Sequence, residues 1–251
     1  EIQSDSKLEI IESDAFHFTH IECFTFPKSV TKIGEGAFYD CWCLTKVDFA
    51  PDIKLSVIEK EAFGRSGIKN LMIPKSVTKI CEKAFFQCLL LENVQFTSDS
   101  NLQVIEMEAF AQSAIKHFTF PKSVTEIGQS IFYKCEYIEK VEFPPGIQTI
   151  NRLMFSQSNL KKFTIPATVK VIRDGVFLTC NLLESVVFPP DSQIETIEKH
   201  CLGESGIKYF TIPENLTTIS EGLFLACTDL EKIEVPPNSK LQKIEKNAFA
   251  G

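Results

Sequence analysis

The sequence lacks the features that mark several common classes of protein. No apolar run approaches the ~18 residues that a membrane-spanning helix needs, and neither a basic nor an apolar leader stretch follows Glu1. Basic residues form no run or patch in a chain whose net charge is −7, which argues against a nucleic-acid partner. The sequence therefore predicts no nucleic-acid binding and no direct membrane insertion by this segment.

Residues that could support catalysis or bind a metal are also scarce. His17, His20, His117 and His200 are the only histidines, and no two have a spacing typical of a metal site or a catalytic triad. There is no glycine-rich phosphate loop, and the carboxylates are spread evenly rather than paired. We therefore predict no catalytic residue, no metal site and no cofactor, and we predict that the protein is not an enzyme.

Phenylalanine, by contrast, is abundant, with 22 residues, and one series of them is regularly spaced. The spacings alternate between 22 and 25 residues, with one spacing of 23. The series comprises Phe16, Phe38, Phe63, Phe85, Phe110, Phe132, Phe155, Phe177, Phe224 and Phe249, with Leu202 in the remaining place. Periods of this length are typical of solenoids. We predict a single solenoid over residues 1–251, with about ten coils and these Phe residues as its core spine.

A strand pattern recurs with the same period. Each repeat contains [LI]-x-x-[VFLI]-x-[FIV], usually followed by Pro, as in IKNLMIP from Ile68. The fourth and sixth positions are apolar, which indicates a strand, and strands so far apart must stack in parallel, one per coil. A following V-x-x-I predicts a short second extended segment, and sequences such as GEGAF predict a helical or 3₁₀ turn on the opposite wall. The three additional residues of longer coils are expected directly after the strand, as a raised rim.

The run FTFPKSVTKIGEGAFYDCWCLTKVDF, residues 24–49, resembles the BspA-like, or Treponema-type, leucine-rich repeats, and the match recurs over residues 8–250. Its Phe-rich, Lys-Ser-Val style is similar to that of members from anaerobic protists such as trichomonads. The resemblance implies a β-rich α/β repeat solenoid with a right-handed coil. A parallel sheet would form its concave face, and short extended or 3₁₀ segments its convex face. Met154 and Leu202 depart from the pattern's Ala and Phe, but both are still apolar.

The family implies a non-catalytic protein-binding module. Its expected role is adhesion to, or recognition of, host or matrix proteins through the concave sheet face or the rim, at the cell surface or in secreted form. The alternative is an intracellular, cytoplasmic scaffolding protein within a larger assembly, which free thiols would favour. In both interpretations the partner is a protein.

Strand positions three and five are expected to face solvent on the concave side. They form either a solvated face of good strand formers or a binding surface. The candidates for that surface are Met72, Gln95, His117, Thr119, Glu142, Lys162, Thr164, Tyr209 and Thr211.

The nine cysteines need a separate explanation. Five recur in every second coil, three residues after a spine Phe: Cys41, Cys88, Cys135, Cys180 and Cys227. Two coils separate neighbours by ~9.6 Å, which exceeds the ~7 Å limit for a disulfide and excludes ligation of one shared zinc ion. We predict a structural ladder of buried free thiols beside the Ser or Thr of the intervening coils. The remaining cysteines, which we also expect to be unpaired, are Cys23, Cys43, Cys81 and Cys201.

Neither end of the sequence shows a recognisable polar cap. Solenoids without caps expose apolar end coils. We therefore expect a fragment of a longer array, with self-association through the ends or an edge as a second expectation.

Overall fold

In a computed structural model, which describes residues 6–251, the chain consists of short β-strands joined by turns. The chain divides into two compact units, Glu1–Phe132 and Tyr133–Gly251. In each unit the coils stack so that strands of successive coils pair in parallel. The predicted β-rich solenoid is confirmed, whereas residues 6–251 contain no helix. That the whole chain forms a single solenoid stays a prediction.

The strands of the first unit alternate between two lengths. In chain order they are β1 (Ile10–Ile11), β2 (Cys23–Phe26), β3 (Lys32–Ile33), β4 (Lys46–Phe49), β5 (Val57–Ile58), β6 (Asn70–Ile73), β7 (Lys79–Ile80), β8 (Asn93–Phe96), β9 (Val104–Ile105), β10 (His117–Thr119) and β11 (Glu126–Ile127). Strands β2, β4, β6 and β8 form one sheet, and β5, β7, β9 and β11 form another. Each coil therefore contributes one longer strand and one strand of two residues.

The second unit repeats this arrangement. Its strands are β12 (Lys140–Glu142), β13 (Thr149–Ile150), β14 (Lys162–Thr164), β15 (Val171–Ile172), β16 (Ser185–Val187), β17 (Thr196–Ile197), β18 (Tyr209–Thr211), β19 (Thr218–Ile219), β20 (Lys232–Glu234) and β21 (Lys243–Ile244). Strand β14 pairs with β16 and β18 with β20. The short strands pair as β13–β15–β17 and β19–β21.

The longer strands bury alternate side chains. In β6, Leu71 and Ile73 are buried whereas Asn70 and Met72 are exposed, as the period of two in a strand requires. In β6 the apolar residues at positions four and six thus enter the core, whereas in longer coils the sixth residue, such as Phe49 or Phe96, is half-buried. Positions three and five form an exposed sheet face, which is where the sequence predicted the binding candidates.

The spine phenylalanines stack as a column in the core. Ring centroids of Phe38, Phe63, Phe85 and Phe110 are 5.3, 5.5 and 5.4 Å apart, with interplanar angles of 9°, 2° and 2°. All four side chains are fully buried. Phe249 belongs to the same repeat position and its ring stacks on that of Phe224, but its side chain is 40% exposed.

The segments expected to form helical or 3₁₀ turns form overlapping turns instead. Around Phe38, Gly36 and Asp40 adopt left-handed backbone angles, with φ of 59° and 57°. A left-handed residue on each side of the spine Phe interrupts any run of helical angles. The N–H groups of these three residues donate to carbonyls of the next coil at 2.8 to 3.0 Å. Hydrogen bonds between coils therefore replace those that a helix would make within the segment.

The longer coils differ from the shorter ones in two places. Cys41 and Leu44 are joined by a hydrogen-bonded turn, whereas Ser66 and Ile68, at the matching positions of the next coil, are one residue closer in sequence. Only two of the three additional residues follow the strand, which corrects the sequence-based expectation. The coil of Cys135 keeps the residue before the strand but lacks the two rim residues, which explains its spacing of 23.

Candidate functional site

The exposed sheet face of the first unit contains an uncharged region. On β4, Lys46 Nζ lies 3.1 Å from Asp48 Oδ2, so the charges there are paired. Strands β6 and β8 present only uncharged side chains. Asn93 Nδ2 donates to Asn70 Oδ1 at 2.7 Å, and the side chain of Met72 is 48% exposed. This region combines amide groups with an accessible thioether.

Two grooves open on either side of Met72, where the strands end. Groove A, of about 300 Å³, is lined by Met72, residues 47–53, residues 74–76 and Thr97. Groove B, of about 620 Å³, is lined by Met72, residues 93–98, Ser100, His117 and residues 119–123. A shorter coil supplies residues 74–76 of groove A and residues 121–123 of groove B, and a longer coil supplies the neighbouring rim in each groove. The alternation in coil length thus produces the grooves.

Four of the predicted binding residues meet at groove B. Met72, Gln95, His117 and Thr119 all line it, and Met72 lies beside Gln95 in the strand register. Strands β6, β8 and β10 each supply at least one of them. Groove B therefore offers a thioether, an amide, an imidazole and a hydroxyl, with apolar walls that include Phe96.

The other five predicted residues lie in the second unit, where polar partners engage most of them. Glu142 Oε1 lies 2.5 Å from Lys140 Nζ. Tyr209 is 55% exposed, and its hydroxyl donates to Glu231 Oε2 at 2.6 Å, a hydrogen bond that raises the pKa of Tyr209. Thr211 donates weakly to a carboxylate of Glu234, at 3.5 Å. This part of the face is mainly a surface of satisfied polar pairs.

Thr211 also lines groove C, which has a volume of about 510 Å³. Its other walls are residues 186–192, residues 212–215 and Pro236. Lys162 and Thr164 lie beside Ser185 and Val187 on the face and line none of the three grooves.

These coils match a known repeat family along their whole length. A family model described as "BspA type Leucine rich repeat region", in six copies, matches residues 1–90, 56–184 and 154–251. The chain belongs to the BspA-type leucine-rich repeat family. This confirms the resemblance found in the sequence. A search of curated proteins found no match.

Solved structures of bacterial proteins share the BspA-type fold. A leucine-rich repeat protein from Bacteroides ovatus is 30% identical, with a TM-score of 0.73 over 94% of this chain, which spans 55% of that protein's length. The pneumococcal vaccine antigen PcpA is 20% identical, with a TM-score of 0.61 over 96% of this chain and 72% of its own. A leucine-rich cell surface protein from Faecalibacterium prausnitzii is 20% identical, with a TM-score of 0.51 over 97% and 86%. The last two likenesses show the fold alone.

Most cysteines of the BspA-type coils are buried. Cys88 is fully buried, its thiol donates to the carbonyl of Phe63 at 3.1 Å, and it lies 3.4 Å from Ser66 Oγ. Burial raises the pKa of Cys88 to about 11. Cys180 repeats the arrangement with Phe155 and Ser158. These thiols are therefore neutral and inaccessible, unlike nucleophilic or metal-binding cysteines.

Other kinds of site are not found in the part of the chain that the structure describes. Among residues 6–251, no group of three or more His, Cys, Asp or Glu side chains is arranged to hold a metal ion. No helix in that range is long and apolar enough to span a membrane. None of the nine cysteines within it forms a disulfide.

Sequence reasoning missed one exposed feature of the BspA-type coils. The turn before β4 exposes Trp42, and the turn before β8 exposes Leu89 and Leu90. Both turns contain the one additional residue of the longer coils. A difference in spacing already indicated this additional residue in the sequence. In these coils the ladder Cys stands three residues before the buried Leu, whereas in the intervening coils the ladder Ser stands two residues before the buried Ile.

Proposed function

We propose that this BspA-type region is a non-catalytic protein-binding module that acts in adhesion or recognition, at the cell surface or in secreted form. The observation that carries the proposal is the uncharged, exposed region around Met72 together with groove B. The ligand would lie across β6, β8 and β10 and place a side chain in that groove. Membership of a repeat family whose coils present extended surfaces supports a binding role.

The chemistry of this region suits a polypeptide ligand. A carboxamide such as that of Gln95 offers both donors and an acceptor, and can therefore pair with the N–H and C=O of a peptide group. Met72 can adapt its flexible thioether to different apolar side chains. A volume of about 620 Å³ lies within the ~300–1,000 Å³ range of ligand sites.

Two observations bear on where the protein acts. The Faecalibacterium prausnitzii protein is named a cell surface protein, and PcpA a vaccine antigen, which favours the surface. The absence of disulfides among the cysteines of the described chain favours the alternative, an intracellular scaffold, since disulfides are rare in reducing compartments. Labelling of intact cells with a membrane-impermeant biotin reagent tests this. Labelling that appears only after permeabilisation would contradict the surface role.

Binding of the purified chain to an immobilised extracellular-matrix preparation tests the site. The variant Met72→Asp with Gln95→Ala places a charge at the mouth of groove B, and we expect at least a tenfold loss of affinity. The variant Lys162→Ala changes the same face in the second unit, away from the grooves, and should bind like the wild type. Equal binding by the wild type and the groove variant would refute the assignment.

A further inference from the structure

Large apolar side chains project from one edge of the first unit, where the chain enters the longer strands. Trp42 is 53% exposed, Leu89 67% and Leu90 47%. We call these three residues the edge row. The intervening coil has the buried Gly67 at this place, and the coil after Leu90 has Ala114, which is 9% exposed. From Trp42 to Ala114, projecting side chains thus alternate with gaps along this edge.

Packing holds both the projections and the gaps in place. His20 lies edge-on to Trp42, with ring centroids 5.0 Å apart and an interplanar angle of 88°. A Cβ at Gly67 would lie 2.1 Å from the carbonyl oxygen of Trp42, so that position can carry no side chain without a backbone shift. The gap at Gly67 is therefore fixed by its contact with the neighbouring coil.

Charges at this edge alternate with the same period. Glu92 follows the projecting Leu89 and Leu90, whereas Lys69 and Lys116 belong to the two neighbouring coils that have the gaps. All three charged side chains are exposed, and Lys116 Nζ lies 3.4 Å from Glu92 Oε2. In the three coils of Lys69, Glu92 and Lys116, a negative charge thus accompanies the projecting side chains and a positive charge accompanies each gap.

We propose that the edge row binds a second copy of this chain, related by a two-fold axis. The two stacks then run in opposite directions, and an offset by one coil places Leu89 and Leu90 of each copy over Gly67 of the other. Trp42 then lies over Ala114. Such an isologous contact buries the same surface on both copies.

The charges select the same register as the shapes. With Leu89 over Gly67, Glu92 of each copy faces the second copy's Lys69. A shift by one further coil would bring Leu against Leu and Glu against Glu, and like charges in contact disfavour a pairing. Steric fit and charge therefore agree on one arrangement, which is the reason for choosing a second copy as the occupant. This surface is separate from groove B, so self-association and ligand binding can be tested independently.

Sedimentation velocity of the purified chain over a range of concentrations tests the proposal. We expect a concentration-dependent dimer, and at least a tenfold weaker dimer for Leu89→Asp with Leu90→Asp. Leu182→Asp is the matched control, because Leu182 occupies the same turn position in the second unit and is 47% exposed. It should leave dimerisation unchanged, and circular dichroism checks that each variant is folded.

A charge exchange tests the register. Lys69→Glu and Glu92→Lys should each weaken the dimer, and the double variant should recover most of the loss. A wild type that stays monomeric at every concentration would overturn the proposal. The proposal would also be overturned by a dimer that Leu89→Asp with Leu90→Asp leaves intact, or by a dimer that Leu182→Asp weakens to the same extent. It would be overturned as well if the losses of affinity in the two single charge variants simply add in the double variant.

Discussion

The phenylalanine column allows a quantitative test of how the coils support one another. Phe85 is fully buried, and its ring lies 5.5 Å from that of Phe63 and 5.4 Å from that of Phe110. The substitution Phe85→Ala removes both stacking contacts and leaves a cavity in the core. Buried Phe→Ala substitutions cost about 3–5 kcal/mol. We therefore expect the free energy of unfolding to fall by about 4 kcal/mol.

The same repeat position supplies a matched control. Phe249 stacks on Phe224, with 5.2 Å between centroids, and is 40% exposed. Because Phe249 is partly exposed and has less buried area to lose, we expect Phe249→Ala to cost about 1–2 kcal/mol. The difference between the two variants measures what enclosure between two coils contributes.

Urea unfolding followed by far-UV circular dichroism would give the two free energies. Hydrogen exchange on the native protein should show the loss of protection centred on the coils of Phe63, Phe85 and Phe110, because a repeat array transmits stability mainly between neighbours. Equal costs for Phe85→Ala and Phe249→Ala would refute the reasoning. So would a cost below about 2 kcal/mol for Phe85→Ala, which is under the range for buried Phe.

Three further predictions concern the thiols, the acid limb and a glycine. Ellman's reagent should modify the exposed Cys23 in the native protein. Fast reaction of the ladder thiols before unfolding would contradict their burial in the core. The hydrogen bond from Lys79 lowers the pKa of the Glu106 carboxyl below its ordinary value of 4.5. The stability that this hydrogen bond confers is therefore present above pH 4.5 and is lost as the pH falls through the lowered pKa of the folded protein. Glu106→Gln should therefore flatten the acid limb in thermal melts measured against pH, and an unchanged limb would exclude this contribution. Gly67→Ala should lower stability by about 1–3 kcal/mol in urea unfolding, since its Cβ would lie 2.1 Å from the Trp42 carbonyl oxygen, and an unchanged midpoint would contradict that contact.

The strands and the core could be predicted because each coil imposes the same demands on its sequence. Leu71 and Ile73 are apolar for the same reason as their counterparts in every other coil, so ten repetitions reinforce one weak local pattern. The left-handed turns could not be predicted in this way. Lys83, Leu153 and His200 all adopt positive φ, yet they share no chemistry that favours it. Their position relative to the spine Phe, rather than their identity, determines the conformation.

The candidate site was predictable only in part. Strand periodicity places Met72 and His117 on the exposed face, because alternate residues of a strand point to the same side. It does not reveal that both line one groove, since the depth of groove B depends on residues 120–123 lying beside the rim at residues 97–100. The relative heights of loops in neighbouring coils arise from packing between coils, which local patterns do not describe.

The longer coil of each two-coil unit carries features at both edges of the sheet. In most longer coils the additional residue before the strand accompanies an exposed apolar side chain, such as Trp42, Leu89 or Leu182, and usually two more residues raise the rim after the strand. Duplication of the unit therefore copies grooves and edge projections together, whereas the face residues are exposed and can vary without disturbing the core. The coil of Cys135 separates the two features, because it exposes Tyr137 before the strand but lacks the two rim residues. A coil can thus lose its rim and keep its edge projection, which shows that the two edges are structurally independent. Under the proposed function, specificity for a ligand would therefore arise from the face and the groove beside it rather than from the edge.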